Sequence, residues 1–385
     1  MKNYMAALTD WIIPGNSIAV YHRNNKVFEW QTGYADLENK ALMNEEHLFN
    51  GYSVTKMLTV TAALQLYERG LFLLDDPLYE YLPEYRDMSV EYADGSIRKA
   101  ETPITLRHLF TMTAGFDYNV GVPAFKKARQ LTDGKMDTRT VIRCLAEEPL
   151  HFEPGTRWQY SFCHDVLAAV VEVISGRKYS RYVQEKLLDP IGMQNTYFHN
   201  EAVRDRMAIQ YEYFTAQTPD IVKMQAFGKF SEGRVERVSK AVRYIFGPEY
   251  DSGGAGITTS VDDYARFASA LANGGIAPGG EHILSGGAIE LLRTNQLSTE
   301  LMKRDYSWSQ LRGYGYGLGV RTHIDRAASG SLGPVGEFGW GGAAGATVLV
   351  DPENELAMFY THHMLNPQEP YYMPRLRNVL YSCMD

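Results

Sequence analysis

The chain of 385 residues is 45% hydrophobic and 22% charged, with a formal net charge of −8 at pH 7. Because one compact core usually holds fewer residues than this, we expect two subdomains around a shared cleft. The acidic balance excludes the basic footprint of a protein that binds nucleic acid or anionic membranes, so it favours a small-molecule substrate and no nucleic-acid partner.

The amino-terminal stretch and the cysteines bear on location. Residues 1–13 contain one lysine and no apolar run of signal-peptide length, and no segment approaches about 18 uninterrupted apolar residues. We therefore expect no membrane span and a cytoplasmic location for the given sequence. Cys144, Cys163 and Cys383 are odd in number and lack metal-ligand spacing, so we expect buried thiols rather than a disulfide framework or a zinc site.

Hydrophobic periodicity divides the first part of the chain into a strand-rich start and a helical middle. Residues 17–34 alternate around a polar turn at 23–26, which predicts a β-hairpin. Residues 205–245 show weak periodicity and support no firm prediction. Apolar residues at helical spacing predict helices over residues 50–70, 105–112 with a stop at Gly115, 139–147, 163–175 and 179–188.

After residue 250 the pattern returns to strands. Ser260 stands where it can cap a helix that runs through Ala272 and ends at the next glycines. Further predicted elements are a helix over residues 286–293, strands over 314–320, 344–350 and 356–361, and a closing helix over 374–382.

The order of these elements predicts two structural units. Residues 1–70 and 251–385 together are expected to form an α/β subdomain whose sheet is built from both chain ends. Residues 71–250 are expected to form an inserted, mainly helical subdomain. The cleft between the two is where a ligand is expected to bind.

The helix predicted over residues 50–70 carries a candidate nucleophile. Gly51 permits a tight entry, and Gly70 supplies a left-handed stop. Ser53 lies at the amino-terminal end, where unpaired amides and the helix dipole stabilise a developing negative charge. Lys56 follows three residues later on the same face, so its amine can point back at the Ser53 hydroxyl as a base or proton relay.

The pattern Ser-x-x-Lys is weak by itself, because an N-cap serine followed by a solvated lysine produces it as well. It occurs three times, at Ser53/Lys56, Ser96/Lys99 and Ser175/Lys178. Ser96 follows an Asp-Gly turn in a charged stretch, and Ser175 closes a helix just before a glycine. Only Ser53 opens a buried helix, so the context favours the first occurrence.

Together with other motifs, this stretch resembles the serine β-lactamase and penicillin-binding-protein superfamily, in particular its class C branch and the related family VIII carboxylesterases. The resemblance covers most of the chain and implies a β-lactamase-like fold, with an antiparallel sheet flanked by helices. The matching stretches, in the family's order, are Ser53-Val54-Thr55-Lys56, residues 106–115, Phe152-Glu153-Pro154-Gly155 followed by Tyr160-Ser161, and residues 254–275, 313–319 and 339–342.

The resemblance implies roles for individual residues. Ser53 is then the acylated nucleophile, Lys56 its proton partner, and Tyr160 a second base on the helical subdomain. Both side-chain types titrate near pKa ~10, so one must shift by roughly three units, or about 4 kcal/mol, to act near neutral pH. Which of the two accepts the proton is left open. The backbone amides of Ser53 and Ala343 are expected to form the oxyanion hole.

Two departures from the lactamase pattern concern substrate binding. The family's Tyr-x-Asn reads Tyr160-Ser161-Phe162, so an apolar ring replaces an amide. The family's Lys-Thr-Gly reads Trp340-Gly341-Gly342, and losing that cation forfeits roughly 1.5–3 kcal/mol of charge-assisted binding to a carboxylate. We expect Phe162, Trp340, Gly341 and Gly342 to bind the substrate and to favour neutral, apolar acyl groups.

The residues therefore favour a metal-independent serine hydrolase that cleaves small carboxylic esters through a Ser53 acyl-enzyme. The alternatives are a β-lactamase, D-amino-acid peptidase or acyltransferase of the same fold, or a binding protein without turnover. No cofactor and no metal are expected, although His362 and His363 follow a strand. The expected partner is a small ester or amide, and the oligomeric state is not predicted.

Overall fold

The computed structural model describes residues 1–215 and 233–384. A short 3₁₀ turn, Tyr52–Val54, leads into α2, and a π-helical segment, Gln184–Leu188, connects α7 to α8. The α-helices are α1 Lys2–Trp11, α2 Thr55–Glu68, α3 Leu106–Phe110, α4 Pro123–Leu131, α5 Thr138–Leu145, α6 Cys163–Ser175, α7 Tyr179–Val183, α8 Asp189–Ile191, α9 Val261–Ala272, α10 Gly286–Arg293, α11 Thr299–Arg304, α12 Arg326–Ser329 and α13 Glu369–Tyr381.

The strands come mainly from the two ends of the chain. They are β1 Gly15–His22, β2 Asn25–Asp36, β3 Ala41–Leu42, β4 Phe49–Asn50, β5 Ser89–Glu91, β6 Ile97–Lys99, β7 Thr196–Tyr197, β8 Gln210–Thr215, β9 Gly233–Val238, β10 Thr258–Thr259, β11 Tyr314–Tyr316, β12 Arg321–His323, β13 Phe338–Gly339, β14 Gly341–Gly342, β15 Ala346–Asp351, β16 Leu356–Thr361 and β17 Met364–Leu365.

The central sheet is antiparallel and joins the two chain ends. Its strand order is β11-β12-β13-β15-β16-β1-β2-β3, and β14 pairs with β15. The predicted hairpin is present as β1 and β2, and β1 pairs with β16 from Ser17 opposite Thr361 to His22 opposite Leu356. The predicted fold, with a sheet from both chain ends and a helical insertion, is confirmed.

Helices cover both faces of this sheet, and β1 contributes to both cores because its side chains alternate between the two faces. Ile18 and Val20 pack in a core with α1 and α13, whereas Ala19 and Tyr21 belong to a larger core that includes α2 and α9. The predicted cap of α9 is present, since the Ser260 hydroxyl accepts a hydrogen bond from the amide of Asp263.

Helix α2 is buried on nearly all sides, which its composition allows because its residues between Thr55 and Leu66 are apolar, threonine or small, apart from Lys56 and Gln65. It packs against α6 and α7 of the helical part. A helix without a polar face belongs in the interior of a large protein. This position brings the Ser53 end of α2 to the boundary between the sheet and the helical part.

Several boundaries differ from the sequence-based expectation. Helix α3 ends at Phe110, well before Gly115, and Met112 then adopts a left-handed φ of 58°. The closing helix begins at Glu369 and contains Pro374, rather than starting there. The strand predicted over residues 314–320 ends at Tyr316.

Other elements had no sequence-based prediction. Helix α1 lies within residues 1–13, and α4 lies in the helical middle part of the chain. Strands β8 and β9 fall within residues 71–250 but pair with each other, and β8 pairs with β17 near the chain end. Part of the stretch without a firm prediction, residues 216–232, lies outside the described residues. The division at residues 70 and 250 stays a prediction.

Candidate active site

Ser53 lies in the turn that enters α2 and is partly exposed, whereas its neighbours Tyr52 and Val54 are buried. The amide of Gly51 donates to the carbonyl of Ile257 at 2.9 Å, which fixes the entry to the turn. Tyr52 has a left-handed φ of 48°, a conformation that costs a non-glycine residue about 1–2 kcal/mol. Strained backbone therefore presents the Ser53 hydroxyl at the mouth of the helix.

Lys56 lies in the first turn of α2 and is fully buried. Its Nζ is 3.3 Å from Ser53 Oγ, 3.2 Å from the hydroxyl of Tyr118 and 2.8 Å from the carbonyl oxygen of Gly254. These three acceptors match the three N–H donors of an ammonium group. The spacing of the Ser-x-x-Lys motif thus brings the two side chains together as expected.

Burial lowers the pKa of Lys56 to about 8, and the negative charge of Asp165 opposes this effect. Desolvation disfavours the charged form of an amine, so a large fraction of Lys56 is neutral in mildly alkaline solution. A neutral amine 3.3 Å from a serine hydroxyl can accept its proton.

Tyr160 comes from the loop before α6 and lines the same cavity as Ser53 and Trp340. Trp340 Nε1 donates to the Tyr160 hydroxyl at 3.2 Å. Lys56 Nζ lies 4.5 Å from the centroid of the Tyr160 ring. Burial raises the pKa of Tyr160, so this side chain is a neutral phenol, whereas burial lowers the pKa of Lys56.

Asp165 on α6 has no sequence-based prediction, yet it organises the floor of the site. Its Oδ1 accepts hydrogen bonds from Ser252 Oγ at 2.8 Å, from the Tyr250 hydroxyl at 3.0 Å and from the amide of Gly254 at 3.2 Å. The same Gly254 offers its carbonyl to Lys56. A Cβ atom on Gly254 would lie 2.4 Å from Asp165 Oδ2. The paired glycines 253 and 254 were the sequence signal for this close approach.

Strand β14 forms the opposite wall. A Cβ atom on Gly342 would lie 2.3 Å from the carbonyl oxygen of Gly51, so only glycine lets this strand approach the Ser53 turn so closely. Ser53 and Ala343 line the same cavity. The structure therefore brings together both residues of the predicted oxyanion hole, and the role of their amides stays a prediction.

The cavity at Ser53 has a volume of about 290 Å³. The rings of Tyr160, Trp308 and Trp340 form one wall, with centroids 5.8–6.3 Å apart. Trp308, Gln310, Arg321 and Glu369 had no sequence-based prediction. The lining residues are Ser53, Tyr160, Trp308, Gln310, Leu311, Arg321, Trp340, Gly341, Gly342, Ala343, Pro367 and Glu369.

The structure corrects the role expected of Phe162. Its ring is buried and packs on the rings of Tyr118, Phe125 and Phe246, with centroids 4.5, 5.3 and 5.9 Å away. It does not line the cavity. The Tyr118 hydroxyl lies beside Lys56 instead, so Lys56 contacts a phenol and not the apolar ring of Phe162.

The other sequence candidates lie elsewhere. Ser96 and Lys99 belong to the exposed β5–β6 hairpin, where Lys99 pairs with Asp87 at 2.7 Å. Ser175 ends α6 before the left-handed Gly176. Cys383 is exposed, contrary to expectation, whereas the other two cysteines are buried and free.

His363, which follows a predicted strand, and His164 on α6 are both buried and lie against backbone groups of the fold. The amide of Asn50 donates to His363 Nε2 at 3.2 Å, and His363 Nδ1 lies 3.1 Å from the carbonyl of Ala208. His164 Nε2 lies 3.4 Å from the carbonyl of Phe110, and burial lowers the pKa of His164 to about 3. In residues 1–215 and 233–384, no group of three or more His, Cys, Asp and Glu side chains is arranged to hold a metal ion.

The chain as a whole matches a known family. A family model described as beta-lactamase matches residues 2–380, so the chain belongs to the beta-lactamase family, and the resemblance found in the sequence is confirmed. Within the part of the chain that the structure describes, no helix is both long enough and apolar enough to cross a membrane.

Three relatives illustrate the similarity. Esterase EstB of Burkholderia gladioli is 32% identical over 350 residues, which cover 87% of this chain and 82% of that protein. Acyltransferase calJ of Penicillium decumbens is 25% identical over 377 residues, covering 92% of this chain and 84% of that one. The solved structure of EstCE1, described as a hydrolase with promiscuous acyltransferase activity, has a TM-score of 0.77 and 25% identity, covering 99% of this chain and 97% of EstCE1.

Proposed function

We propose that this protein is a serine hydrolase that cleaves small carboxylic esters through an acyl-enzyme on Ser53. The observation that carries the proposal is the 3.3 Å contact between Ser53 Oγ and Lys56 Nζ, an amine whose pKa burial lowers to about 8. A serine hydroxyl becomes a good nucleophile when such a neighbour accepts its proton. The names of the relatives, an esterase and an acyltransferase, agree with acyl chemistry.

The contacts in the site suggest the steps of acylation. Neutral Lys56 removes the proton of Ser53, and Ser53 Oγ forms a bond to the ester carbonyl carbon. The negative charge on the carbonyl oxygen is stabilised by the amides of Ser53 and Ala343. When the carbon–oxygen bond to the alcohol breaks, the proton on Lys56 passes to the leaving oxygen, with the Tyr160 hydroxyl as relay.

Deacylation reverses these roles. A water molecule loses a proton to neutral Lys56, directly or through Tyr160, and attacks the acyl carbon. Ser53 leaves with the proton, and the carboxylic acid is released. In this mechanism Lys56 is the base and Tyr160 stays a phenol. The assignment is supported by burial, which raises the pKa of Tyr160 and lowers that of Lys56.

A second candidate function is acyl transfer to an alcohol or amine. The aromatic wall of Tyr160, Trp308 and Trp340 favours it, because apolar rings bind an organic acceptor better than water and limit competing hydrolysis. The description of EstCE1 includes both activities. The two functions share the Ser53 acyl-enzyme and differ in the molecule that resolves it.

A β-lactamase or D-amino-acid peptidase is the weaker alternative. Trp340 occupies the position where the family places a lysine, so the cation that would pair with a substrate carboxylate is absent there. Glu369 adds a carboxyl group to the cavity. Both features oppose binding of an anionic substrate.

The first experiment compares hydrolysis of p-nitrophenyl acetate and butanoate with hydrolysis of a chromogenic cephalosporin. The wild type is tested beside Ser53→Ala and beside Ser96→Ala, which removes the serine of another Ser-x-x-Lys. We expect ester turnover in the wild type and in Ser96→Ala, its loss in Ser53→Ala, and little cephalosporin turnover. Mass spectrometry should show an acyl adduct on Ser53.

Other results lead to other functions. Efficient cephalosporin hydrolysis would establish the lactamase alternative. Absence of both turnover and an acyl adduct would contradict any hydrolase and favour a binding protein. Faster product formation on addition of a primary alcohol, with an ester of that alcohol as the new product, would establish acyl transfer.

A further inference from the structure

The cavity contains a carboxyl group that acyl-enzyme chemistry does not use. Glu369 lies at the start of α13 and lines the cavity together with Ser53. Gln310 Nε2 donates to its Oε2 at 3.4 Å. Among the described residues, Oε1 accepts no hydrogen bond, and it lies close to Gly341, which lines the same cavity.

The local backbone holds Glu369 in this position. The preceding residue, Gln368, has a left-handed φ of 57°, which costs a non-glycine residue about 1–2 kcal/mol. On the opposite side, a Cβ atom on Gly341 would lie 2.5 Å from Glu369 Oε1. The backbone conformation of Gln368 directs Glu369 towards β14, and the absence of a side chain on Gly341 leaves room there for the Glu369 carboxyl group.

In the described part of the chain, neither of the nearby arginines forms an ion pair with Glu369. Arg321 donates to Glu337 at 2.7 Å and to the carbonyl of Val348 at 3.0 Å, and Arg377 lies 3.9 Å from Glu337. Burial raises the pKa of Glu369, and Arg321 opposes this effect from a distance. A half-buried carboxyl group that forms no ion pair with a described residue gains stability from a hydrogen-bond donor on a ligand.

We propose that Glu369 and Gln310 form a polar subsite that binds a hydroxyl or ammonium group of the substrate, so that the preferred esters carry such a donor. This inference rests on the proposed esterase function and names its substrate class. The donor is bound at the edge of β14, beside the aromatic wall, while the apolar remainder of the substrate contacts Trp308 and Trp340. A substrate carboxylate at the same place is repelled by Glu369.

The test uses two sets of matched esters. In the first set the group is on the acyl chain: p-nitrophenyl hexanoate, 6-hydroxyhexanoate, 6-aminohexanoate and the monoester of adipate. In the second set it is on the alcohol: propyl, 2-hydroxyethyl and 2-(dimethylamino)ethyl butanoate. The measured quantity is the ratio of kcat/KM between each functionalised ester and its plain counterpart, for the wild type, Glu369→Gln, Glu369→Ala and the exposed control Glu353→Gln.

We expect the wild type and Glu353→Gln to prefer the hydroxyl or ammonium ester of one set by about tenfold or more. Glu369→Ala should lose this preference, and Glu369→Gln should lose the ammonium preference while keeping part of the hydroxyl preference. Glu369→Gln should also improve the ratio for the adipate monoester. A gain with one substrate cannot result from damage to the fold.

Two negative results are distinguishable. If the wild type hydrolyses the plain esters but shows no preference, or if Glu369→Gln and Glu369→Ala keep the wild-type ratios, the subsite proposal is overturned and the esterase proposal stands. If the wild type hydrolyses none of the esters, the esterase proposal fails, and the subsite proposal that rests on it fails too.

Discussion

The pH dependence of ester hydrolysis tests the role of Lys56 most directly. With the pKa of Lys56 lowered from 10.5 to about 8, the amine is about 9% neutral at pH 7, against about 0.03% for an unperturbed lysine. Burial therefore raises the concentration of the base roughly 300-fold, which corresponds to about 3.4 kcal/mol. Because the proposed mechanism uses the neutral form of Lys56, kcat/KM should fall about tenfold per pH unit well below pH 8 and level off about one unit above it.

Asp165→Asn provides the internal check of this reasoning. The charge of Asp165 favours the protonated form of Lys56, so its removal should move the inflection to lower pH. The asparagine side chain retains an oxygen that can accept the hydrogen bonds from Ser252 and Tyr250. Asp94→Asn, in an exposed turn far along the chain from the site, is the matched control and should leave the profile unchanged.

The assay is the initial rate with p-nitrophenyl acetate from pH 5.5 to pH 9.5, read at the isosbestic wavelength of p-nitrophenol and corrected for spontaneous hydrolysis. A flat profile between pH 6 and pH 9 would refute Lys56 as the base. An inflection that moves to higher pH in Asp165→Asn would refute the electrostatic reasoning, even if the wild-type inflection lies near 8.

Three further substitutions test the site and its surroundings. Tyr160→Phe should lower kcat/KM for alkyl esters by about 10²–10⁴-fold. The loss for p-nitrophenyl esters should be smaller, because p-nitrophenolate leaves without protonation. Equal losses of kcat/KM for the two kinds of ester, measured in parallel assays, would argue against a proton relay. Gly342→Ala should reduce turnover strongly, because the new Cβ atom would lie 2.3 Å from the carbonyl oxygen of Gly51. The control Gly286→Ala, whose Cβ atom would have no described neighbour within 4 Å, should leave turnover unchanged. Full activity of Gly342→Ala would disprove the packing argument. Lys56→Met should abolish turnover but raise the free energy of unfolding in urea at pH 6 by up to about 3 kcal/mol. The pKa of Lys56 is lower in the folded than in the unfolded state, so the charged lysine destabilises the folded state fully below pH 8, and this cost vanishes between about pH 8 and 10.5. A variant less stable than the wild type at pH 6 would contradict this.

The sequence determined the elements whose causes are local. The helical spacing around Ser53 and Lys56 places their side chains 3.3 Å apart, since residues i and i+3 share a helix face. The cap at Ser260 and the β1–β2 hairpin likewise follow from neighbouring residues. Motif order then identified the family, and with it the fold.

Only the tertiary structure decided what surrounds Ser53 and Lys56, because those contacts join residues far apart in the chain. Phe162 is adjacent in sequence to the site motif, yet its ring turns into the core. Tyr118, Asp165 and Glu369 carry no local signature. Folding places the Tyr118 hydroxyl beside Lys56, the Asp165 carboxyl group where its charge raises the pKa of Lys56, and Glu369 in the Ser53 cavity. The lowered pKa of Lys56 has the same origin, since desolvation depends on every segment packed around the amine and not on the spacing of the motif.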